Sequence, residues 1–280
     1  MILPVSNPAA AVRVTPLDPD AFAPFGDVIQ NPSTHASKPD LESVAANQGS
    51  ATKWLDVTRL DNWYEGRCKS GQKAKSVMNM FVCKPRELQK KDGVHGVFPV
   101  RILERHPFTP QTFIPVGLGA DDARTCYLVI VAPTLPLGSQ KRDSTNMAES
   151  PLASAYPPSP PRRKRSLRER LLGSRPNPFT NDFTLRTTPS TAISQIHEPR
   201  GPGLPDLANL RAFIARGDQA VTYGPGTWHA PMVVLGERPV DFVVVQYANG
   251  IGVEDCQEVE INKGLNVLIE SGATNLKAKL

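Results

Sequence analysis

The sequence has only four cysteines, and none of them belongs to a C-x-x-C pair. This spacing argues against a zinc ribbon or a dithiol redox motif and favours free intracellular thiols. The N-terminus lacks a basic region followed by an apolar core, so we predict no secretory signal. No apolar run approaches the roughly 18 residues that a membrane-spanning helix needs. We therefore expect a globular protein with no membrane contact.

Positive charge is concentrated in one part of the chain. The formal net charge is +5 over 280 residues. Residues 133–203 carry 11 Lys/Arg and 5 Asp/Glu, whereas the remainder carries 21 Lys/Arg and 22 Asp/Glu. Because the rest of the chain is nearly neutral, we predict no nucleic-acid partner for the protein.

The composition of residues 133–203 also differs from that of the rest. This segment holds 12 of the 28 prolines and the basic run Arg162–Arg165. It buries too little apolar surface to offset the entropy of ordering it, so we predict a disordered insertion with at most a fleeting helix at Ser166–Leu172. The basic run is interpreted as a solvated linker, with a nuclear address or an RNA contact as alternatives. Residues 1–132 and 204–280 then form a single domain.

Short apolar runs separated by turn residues indicate an all-β domain. Ser76–Cys83 has the alternation of a strand, and the continuous apolar run Cys126–Ala132 is typical of a central strand buried on both faces. Val240–Tyr247 is strongly β-forming. Two segments have helical patterns: Asp18–Phe22 starts with an N-cap residue and proline, and Asp206–Gly217 has one apolar stripe and a terminal glycine. The pattern predicts an antiparallel sandwich or barrel.

A histidine follows a tight-turn signal. Pro225-Gly226 favours a tight turn, because proline presets one dihedral angle and glycine accepts a positive φ. The turn places His229 at the start of the next strand. Together with Gly217 it gives G-x7-P-G-x-x-H, which is similar to the second cupin motif, where a hairpin delivers a histidine into a β-barrel. A surface histidine on an ordinary hairpin is the alternative, because Gly/Pro turns are common.

A second group of candidate site residues lies between positions 101 and 111. In an extended chain Glu104 and His106 face one side, whereas Arg101 and Arg105 face the other. Gln111 starts the next short strand after a turn bracketed by two prolines, so we expect it near the same wall. For Glu104 and Arg105 a solvated charged face is the alternative.

Several segments resemble the ureidoglycolate lyase family, with the combination E-R-H-P, L-R-A-F-I and T-W-H-x-P. They are Ala21–Ile29, Leu103–Pro115, Asp206–Ile214, Gly224–Pro231 and Val240–Phe242. The similarity covers the chain apart from residues 30–75 and 133–203, and the latter resembles a fungal elaboration. The resemblance implies a cupin-type antiparallel β-barrel, jelly-roll-like, and a homodimer. It also implies an enzyme of purine (allantoin) degradation, a carbon–nitrogen lyase that converts ureidoglycolate to glyoxylate and urea.

The first cupin motif is altered in this chain. Metal cupins have His-x-His followed by Glu, whereas here Glu104-x-His106 is followed by Gln111. With His229 these residues provide two imidazoles, one carboxylate and one amide, which suit Ni, Mn or Zn. A neutral Gln weakens a site for a hard cation, so metal binding and its absence both stay open. The resemblance favours a nickel- or manganese-type ion, and we expect no organic cofactor.

The expected reaction requires specific groups. Elimination of urea needs a base for the carbinol hydroxyl and an acid for the departing nitrogen, and histidine can serve in either role. The candidate catalytic residues, which are also the candidate metal ligands, are His229, His106, Gln111 and Glu104. The substrate carboxylate needs a cationic or N–H partner. The candidate substrate-binding residues are Tyr223, Arg105 and Gln246.

Two other functions stay open: another metal-dependent cupin enzyme, such as an oxygenase or isomerase, and a non-catalytic cupin that binds a small acid or a regulatory partner. The chain ends in Ala278-Lys279-Leu280, a variant of the Ser-Lys-Leu peroxisomal address. We therefore expect the peroxisome as its location, with the cytoplasm as the alternative.

Overall fold

The computed structural model describes residues 2–3, 11–35, 41–92, 94–136, 200–262 and 264–270. Most of the predicted insertion lies outside these residues, together with Arg162–Arg165, Ser166–Leu172 and the C-terminal tripeptide. No helix in the described part of the chain is long and apolar enough to cross a membrane.

Strands dominate the described residues. The strands are β1 (Ile2–Leu3), β2 (Ala11–Pro16), β3 (Gly26–Ile29), β4 (Ser43–Ala46), β5 (Ala51–Trp54), β6 (Lys75–Cys83), β7 (Gly96–Pro99), β8 (Ile102–Arg105), β9 (Gln111–Val116), β10 (Thr125–Ala132), β11 (Arg211–Ala215), β12 (Ala220–Tyr223), β13 (Trp228–His229), β14 (Val233–Gly236), β15 (Val240–Ala248), β16 (Gln257–Ile261) and β17 (Asn266–Ile269). The helices are α1 (Pro19–Phe22) and α2 (Gly252–Asp255), with 3-10 turns at Asn47–Gly49 and Leu207–Asn209. Helix α1 begins as predicted, with Asp18 as its N-cap.

Two main sheets form the domain. The larger has ten strands, in the order β1-β16-β8-β13-β10-β11-β2-β17-β7, with β14 also paired to β10. The smaller has five strands, in the order β3-β12-β9-β15-β6, and β4 and β5 form a separate hairpin. Most neighbours are antiparallel, and the larger sheet is strongly curled. This cupin-like β-barrel confirms the predicted all-β fold.

The core lies on both faces of strand β10. Every residue of this strand is buried, as predicted for a central strand. Tyr127 and Val131 pack among side chains from the smaller sheet. Leu128 and Ile130 pack on the opposite face, inside the curl of the larger sheet. Because burial of apolar surface drives folding, this strand joins the two cores into one domain.

The predicted helix over Asp206–Gly217 is wrong. Only Leu207–Asn209 forms a helical turn, which Asp206 caps by accepting a hydrogen bond from the backbone N–H of Ala208. Residues Arg211–Ala215 form β11, which pairs with β10 on one side and with β2 on the other. In a short apolar run, the periodicity of hydrophobic residues does not distinguish a buried strand from a buried helix. Here pairing on both edges decides in favour of the strand.

The two ends of the predicted insertion lie side by side. The backbone N–H of Leu135 donates to the carbonyl of Leu204, and that of Asp206 donates to Pro133, both at 2.8 Å. The folded domain therefore includes residues 133–136 and 200–203, on either side of the segment that the structure does not describe.

Two of the crossings between the sheets meet at one end of the barrel. Residues 106–110 lead from β8 in the larger sheet to β9 in the smaller, and residues 224–227 lead from β12 back to β13. The backbone N–H of Gly226 donates to the carbonyl of His106 at 2.8 Å, which joins the two crossings. Gly226 has φ +75°, a conformation that favours glycine at this turn. This end of the barrel therefore gathers side chains from both sheets.

Candidate active site

Six polar or ring side chains meet where the chain crosses between the sheets, and each is at most 8% exposed. The larger sheet contributes Glu104 from β8, His106 just after it and His229 from β13. The smaller sheet contributes Gln111 from the start of β9, Tyr223 from the end of β12 and Gln246 from β15. Alternation along β8 and the Pro-Gly turn before β13 thus bring the predicted residues to one place.

Donor atoms of the four candidate ligands converge. His229 Nε2 lies 3.1 Å from Gln111 Oε1 and 3.6 Å from Glu104 Oε1. Glu104 and His229 are directly opposite each other in the pairing of β8 with β13. One donor atom from each of Glu104, His106 and His229 lies within 4.8 Å of the others. The four side chains therefore surround a single small volume.

Backbone carbonyls fix the tautomers of both histidines. His106 Nδ1 lies 2.6 Å from the carbonyl oxygen of Asp255, and His229 Nδ1 lies 2.9 Å from that of Thr227. A carbonyl oxygen only accepts, so each Nδ1 carries the proton and donates it. In the neutral form of each imidazole, Nε2 therefore presents a lone pair to the volume between the residues, which is the usual arrangement for histidines that bind a metal.

The donor set fits a divalent cation. Gln111 Nε2 donates to Gln246 Oε1 at 2.6 Å, which turns Gln111 Oε1 toward His229. His106 Nε2 is buried and has no hydrogen-bond partner among the described residues. Two imidazole lone pairs, an amide oxygen and a carboxylate thus converge without a protein donor between them. Buried polar atoms are normally satisfied, so this donor set is compatible with a divalent cation.

Electrostatics keep the two kinds of ligand in their binding forms. Burial lowers the pKa of His106 to about 4, although Glu104 acts in the opposite direction, so this imidazole is neutral at pH 7. Burial alone raises the pKa of Glu104, but His229 and His106 outweigh it and hold the pKa below its ordinary value. The centre therefore combines a neutral proton acceptor with an ionised carboxylate.

Tyr223 forms a wall beside His229. The two rings stack with centroids 3.9 Å apart and planes 10° apart. Burial, with a smaller contribution from the charge of Glu104, raises the pKa of Tyr223 well above its ordinary value. The tyrosine stays neutral and fixes the plane of the imidazole.

Arg105 does not reach this centre. Its guanidinium donates to Gln257 Oε1 at 2.9 Å and to the carbonyl of Gly201 at 2.8 Å, on the other face of β8. It also lies over the ring of Trp228, 4.5 Å from the centroid. The proposed role of Arg105 in substrate binding is therefore not supported by its position. Arg101 is exposed.

Glu258 is a further carboxyl group beside this centre. It lies directly opposite Glu104 in the pairing of β8 with β16, and its Oε1 is buried without a hydrogen-bond partner in the described part of the chain. Burial and then the charge of Glu104 raise the pKa of Glu258 to about 7. Only the cross-strand register brings these two carboxyl groups together, and no local pattern reveals it.

A cavity of about 780 Å³ lies beside the centre. It is bordered by Pro110 and Pro225 from the two crossings, by Asp27 on β3 and Thr222 on β12, and by Arg59 from the loop after β5. None of the four converging donors lines it.

Comparison with known proteins gives a consistent result. The family model described as ureidoglycolate lyase matches residues 9–268. A ureidoglycolate lyase of Schizosaccharomyces pombe is 29% identical over 262 residues, covering 94% of this chain and 97% of that protein. One of Saccharomyces cerevisiae is 29% identical over 82% of this chain and 83% of its own length. One of Burkholderia mallei is 25% identical over 84% of this chain and 81% of its own length.

Proposed function

Because the chain belongs to the ureidoglycolate lyase family, we propose that it eliminates urea from ureidoglycolate to give glyoxylate, with the Glu104, His106, Gln111 and His229 cluster as its catalytic centre. The observation that carries the assignment is the convergence of these four buried side chains on one volume. The surrounding barrel keeps water away from that volume, which strengthens each polar interaction there.

Proton transfer is assigned to the imidazole pair. In ureidoglycolate the carbinol hydroxyl and a urea nitrogen share one carbon. As the hydroxyl proton leaves, the O–H electron pair forms the aldehyde C=O bond, and the C–N bond breaks toward nitrogen. A proton must reach that nitrogen, because a urea anion is a poor leaving group. The Nε2 lone pairs of His106 and His229 point into the centre. An imidazole in this orientation can accept the hydroxyl proton and return it to the urea nitrogen.

As the alternative to proton transfer by the imidazoles, we propose that Glu104, His106, His229 and Gln111 bind a divalent ion, Ni²⁺ or Mn²⁺, through the same Nε2 lone pairs. Imidazole nitrogens and oxygen donors match the preferences of these ions. Such an ion acts as a Lewis acid that lowers the pKa of a bound hydroxyl group. If the histidines serve mainly as ligands, replacing either one removes bound metal together with activity. If they serve mainly in proton transfer, activity falls while the remaining ligands retain part of the metal.

The substrate carboxylate is assigned to Gln246. Its Oε1 is occupied by Gln111, and its buried Nε2 has no hydrogen-bond partner among the described residues. An unsatisfied buried N–H donor carries a free-energy penalty that a substrate oxygen removes. Tyr223 contributes the stacked wall that orients His229 rather than a charge.

We propose a homodimer that covers the outer face of the smaller sheet. Met78, Met80 and Val82 are 71%, 58% and 64% exposed on β6, and Ile114 and Val116 on β9 extend the same face. Strand β6 is an edge strand of this sheet, and its outer edge pairs with no described strand. Lysine and proline usually protect a free edge, but neither occurs in β6 between residues 76 and 83. Exposed apolar patches of this kind mark interaction sites.

The test is the incubation of the purified protein with ureidoglycolate. We expect urea and glyoxylate to form in equal amounts. Oxygen consumption with the substrate would instead indicate a cupin oxygenase. Binding of ureidoglycolate without turnover would indicate a non-catalytic acid-binding protein. Either result would overturn the proposal.

A further inference from the structure

The orientation of His106 depends on a distant part of the chain. His229 donates its Nδ1–H to a carbonyl only two residues away, whereas His106 donates to the carbonyl of Asp255, which is 149 residues away. The short distance of 2.6 Å to Asp255 makes this the principal contact that sets the imidazole ring. Contacts that fix the position of the Asp255 carbonyl therefore also fix the direction in which His106 Nε2 points.

The carboxylate of Asp255 closes the turn that carries its own carbonyl. Oδ1 accepts a hydrogen bond from the backbone N–H of Asn249 at 2.8 Å, and Oδ2 accepts one from Gly250 at 2.7 Å. The backbone N–H of Asp255 donates to the carbonyl of Ile251, also at 2.8 Å. These bonds fold residues 249–255 into a closed loop around one side chain, so the direction of the Asp255 carbonyl is fixed by its carboxylate.

Tyr64 ties this loop to the crossing that carries His106. Its hydroxyl donates to Asp255 Oδ1 at 2.7 Å, and the side chain is only 1% exposed. Its ring packs against Phe108, with centroids 5.5 Å apart, and the backbone N–H of Trp63 donates to the carbonyl of Phe108 at 2.9 Å. Phe108 lies two residues after His106. Tyr64 therefore contacts both the donor and the acceptor side of the His106–Asp255 hydrogen bond.

We propose that Tyr64 and Asp255 are positioning residues that hold His106 as its Nδ1–H tautomer, with Nε2 directed into the centre. If the Asp255 carbonyl shifts, the Nδ1–H loses its acceptor. The other tautomer, Nε2–H, directs its proton into the centre, where a carboxylate oxygen of Glu104 lies within 4.8 Å. Outer partners of this kind typically control metal affinity or activity by about 10- to 100-fold. The kinetic consequence rests on the proposed function, whereas the tautomer itself does not.

The test uses full-length Tyr64→Phe and Asp255→Asn, labelled with ¹⁵N in histidine and freed of metal with a chelator. Long-range ¹H–¹⁵N spectra distinguish the two tautomers, and with five histidines in the chain the His106 signals are assigned from His106→Gln. We expect the Nδ1–H form in the wild type and a mixed or Nε2–H form in both variants. Ni²⁺ affinity should fall about 10- to 100-fold, and kcat for urea release should fall more than KM rises.

Tyr127→Phe is the matched control. Tyr127 is also a buried tyrosine whose hydroxyl donates to a backbone carbonyl, that of Gln219, but it lies on β10 away from the Asp255 loop. The Tyr127→Phe substitution should lower the stability of the protein without changing the His106 tautomer. A folded Tyr64→Phe protein with the wild-type His106 spectrum would overturn the proposal. Inactivity of the wild type on ureidoglycolate would overturn only the proposed function, because the spectra still decide the role of Tyr64. If Asp255→Asn fails to fold, Tyr64→Phe alone decides.

Discussion

Replacing His106 by glutamine should remove a specific pH dependence from the stability of the metal-free protein. The pKa of His106 is about 4 in the folded protein because the ring is buried, against 6.5 for an unperturbed histidine. Between these values the unfolded chain binds one proton more than the folded chain at this position. The unfolding free energy therefore rises with pH, so that the contribution is fully present above pH 6.5 and is lost as the pH falls toward 4.

The size of the effect follows from the two pKa values. One proton changes the free energy by about 1.4 kcal/mol per pH unit, so a gap of about 2.5 pH units corresponds to about 3 kcal/mol. Other groups titrate over the same range, and Glu258 acts in the opposite direction because its pKa is raised to about 7. The quantity to compare is thus the difference between the wild type and His106→Gln, not the slope of either alone.

Urea unfolding of chelator-treated protein at several pH values from 4.5 to 7.5 measures this difference. The wild type should lose stability on acidification more steeply than His106→Gln, whose amide has no proton to gain. His95→Gln serves as the control, because His95 is exposed, whereas His106 is buried. Parallel pH profiles for the wild type and His106→Gln would refute the assignment of His106 as a buried neutral imidazole.

Three further predictions concern the metal, the dimer and the insertion. Gln111→Ala should weaken Ni²⁺ binding about 10-fold or more in a metal titration, because the variant lacks the side-chain oxygen that faces the centre. An unchanged Ni²⁺ affinity would show that Gln111 is not a ligand. Met80→Lys should give monomers in sedimentation velocity, whereas Val44→Lys, at an exposed position on the separate hairpin, should not; a dimeric Met80→Lys would place the interface elsewhere. Replacing residues 137–199 by a short Gly/Ser link should keep the rate of urea release within about a few-fold, because the flanking segments already pair; loss of folded protein would contradict this.

Local rules located most of the candidate centre. Alternation along an extended chain predicts Glu104 and His106 on one face, and the Pro-Gly turn predicts His229 at the start of the next strand. In the structure β13 is Trp228–His229, and one donor atom from each of Glu104, His106 and His229 lies within 4.8 Å of the others. These positions depend on the backbone geometry of a few consecutive residues, and that geometry can be predicted from the local sequence. The same alternation put Arg105 on the opposite face, and its bonds to Gln257 and Gly201 agree with that direction.

Contacts between distant strands were not predictable in the same way. Glu258 meets Glu104 only through the register of β16 with β8, and Asp255 reaches His106 across 149 residues. The segment Arg211–Ala215 has an apolar pattern that suits a helix, and only its pairing with β10 and β2 makes it a strand. In each case the structure depends on an interaction with a distant segment, and the local sequence does not identify that segment.

Urea release by His229→Ala tests most directly whether the four converging side chains perform the reaction. We predict a folded variant whose turnover of ureidoglycolate is about 100- to 10,000-fold slower than that of the wild type, since loss of a positioned proton-transfer group typically has this effect. His95→Ala, at an exposed position, should remain near the wild-type rate. A folded His229→Ala protein that releases urea at nearly the wild-type rate would contradict the assignment of the centre.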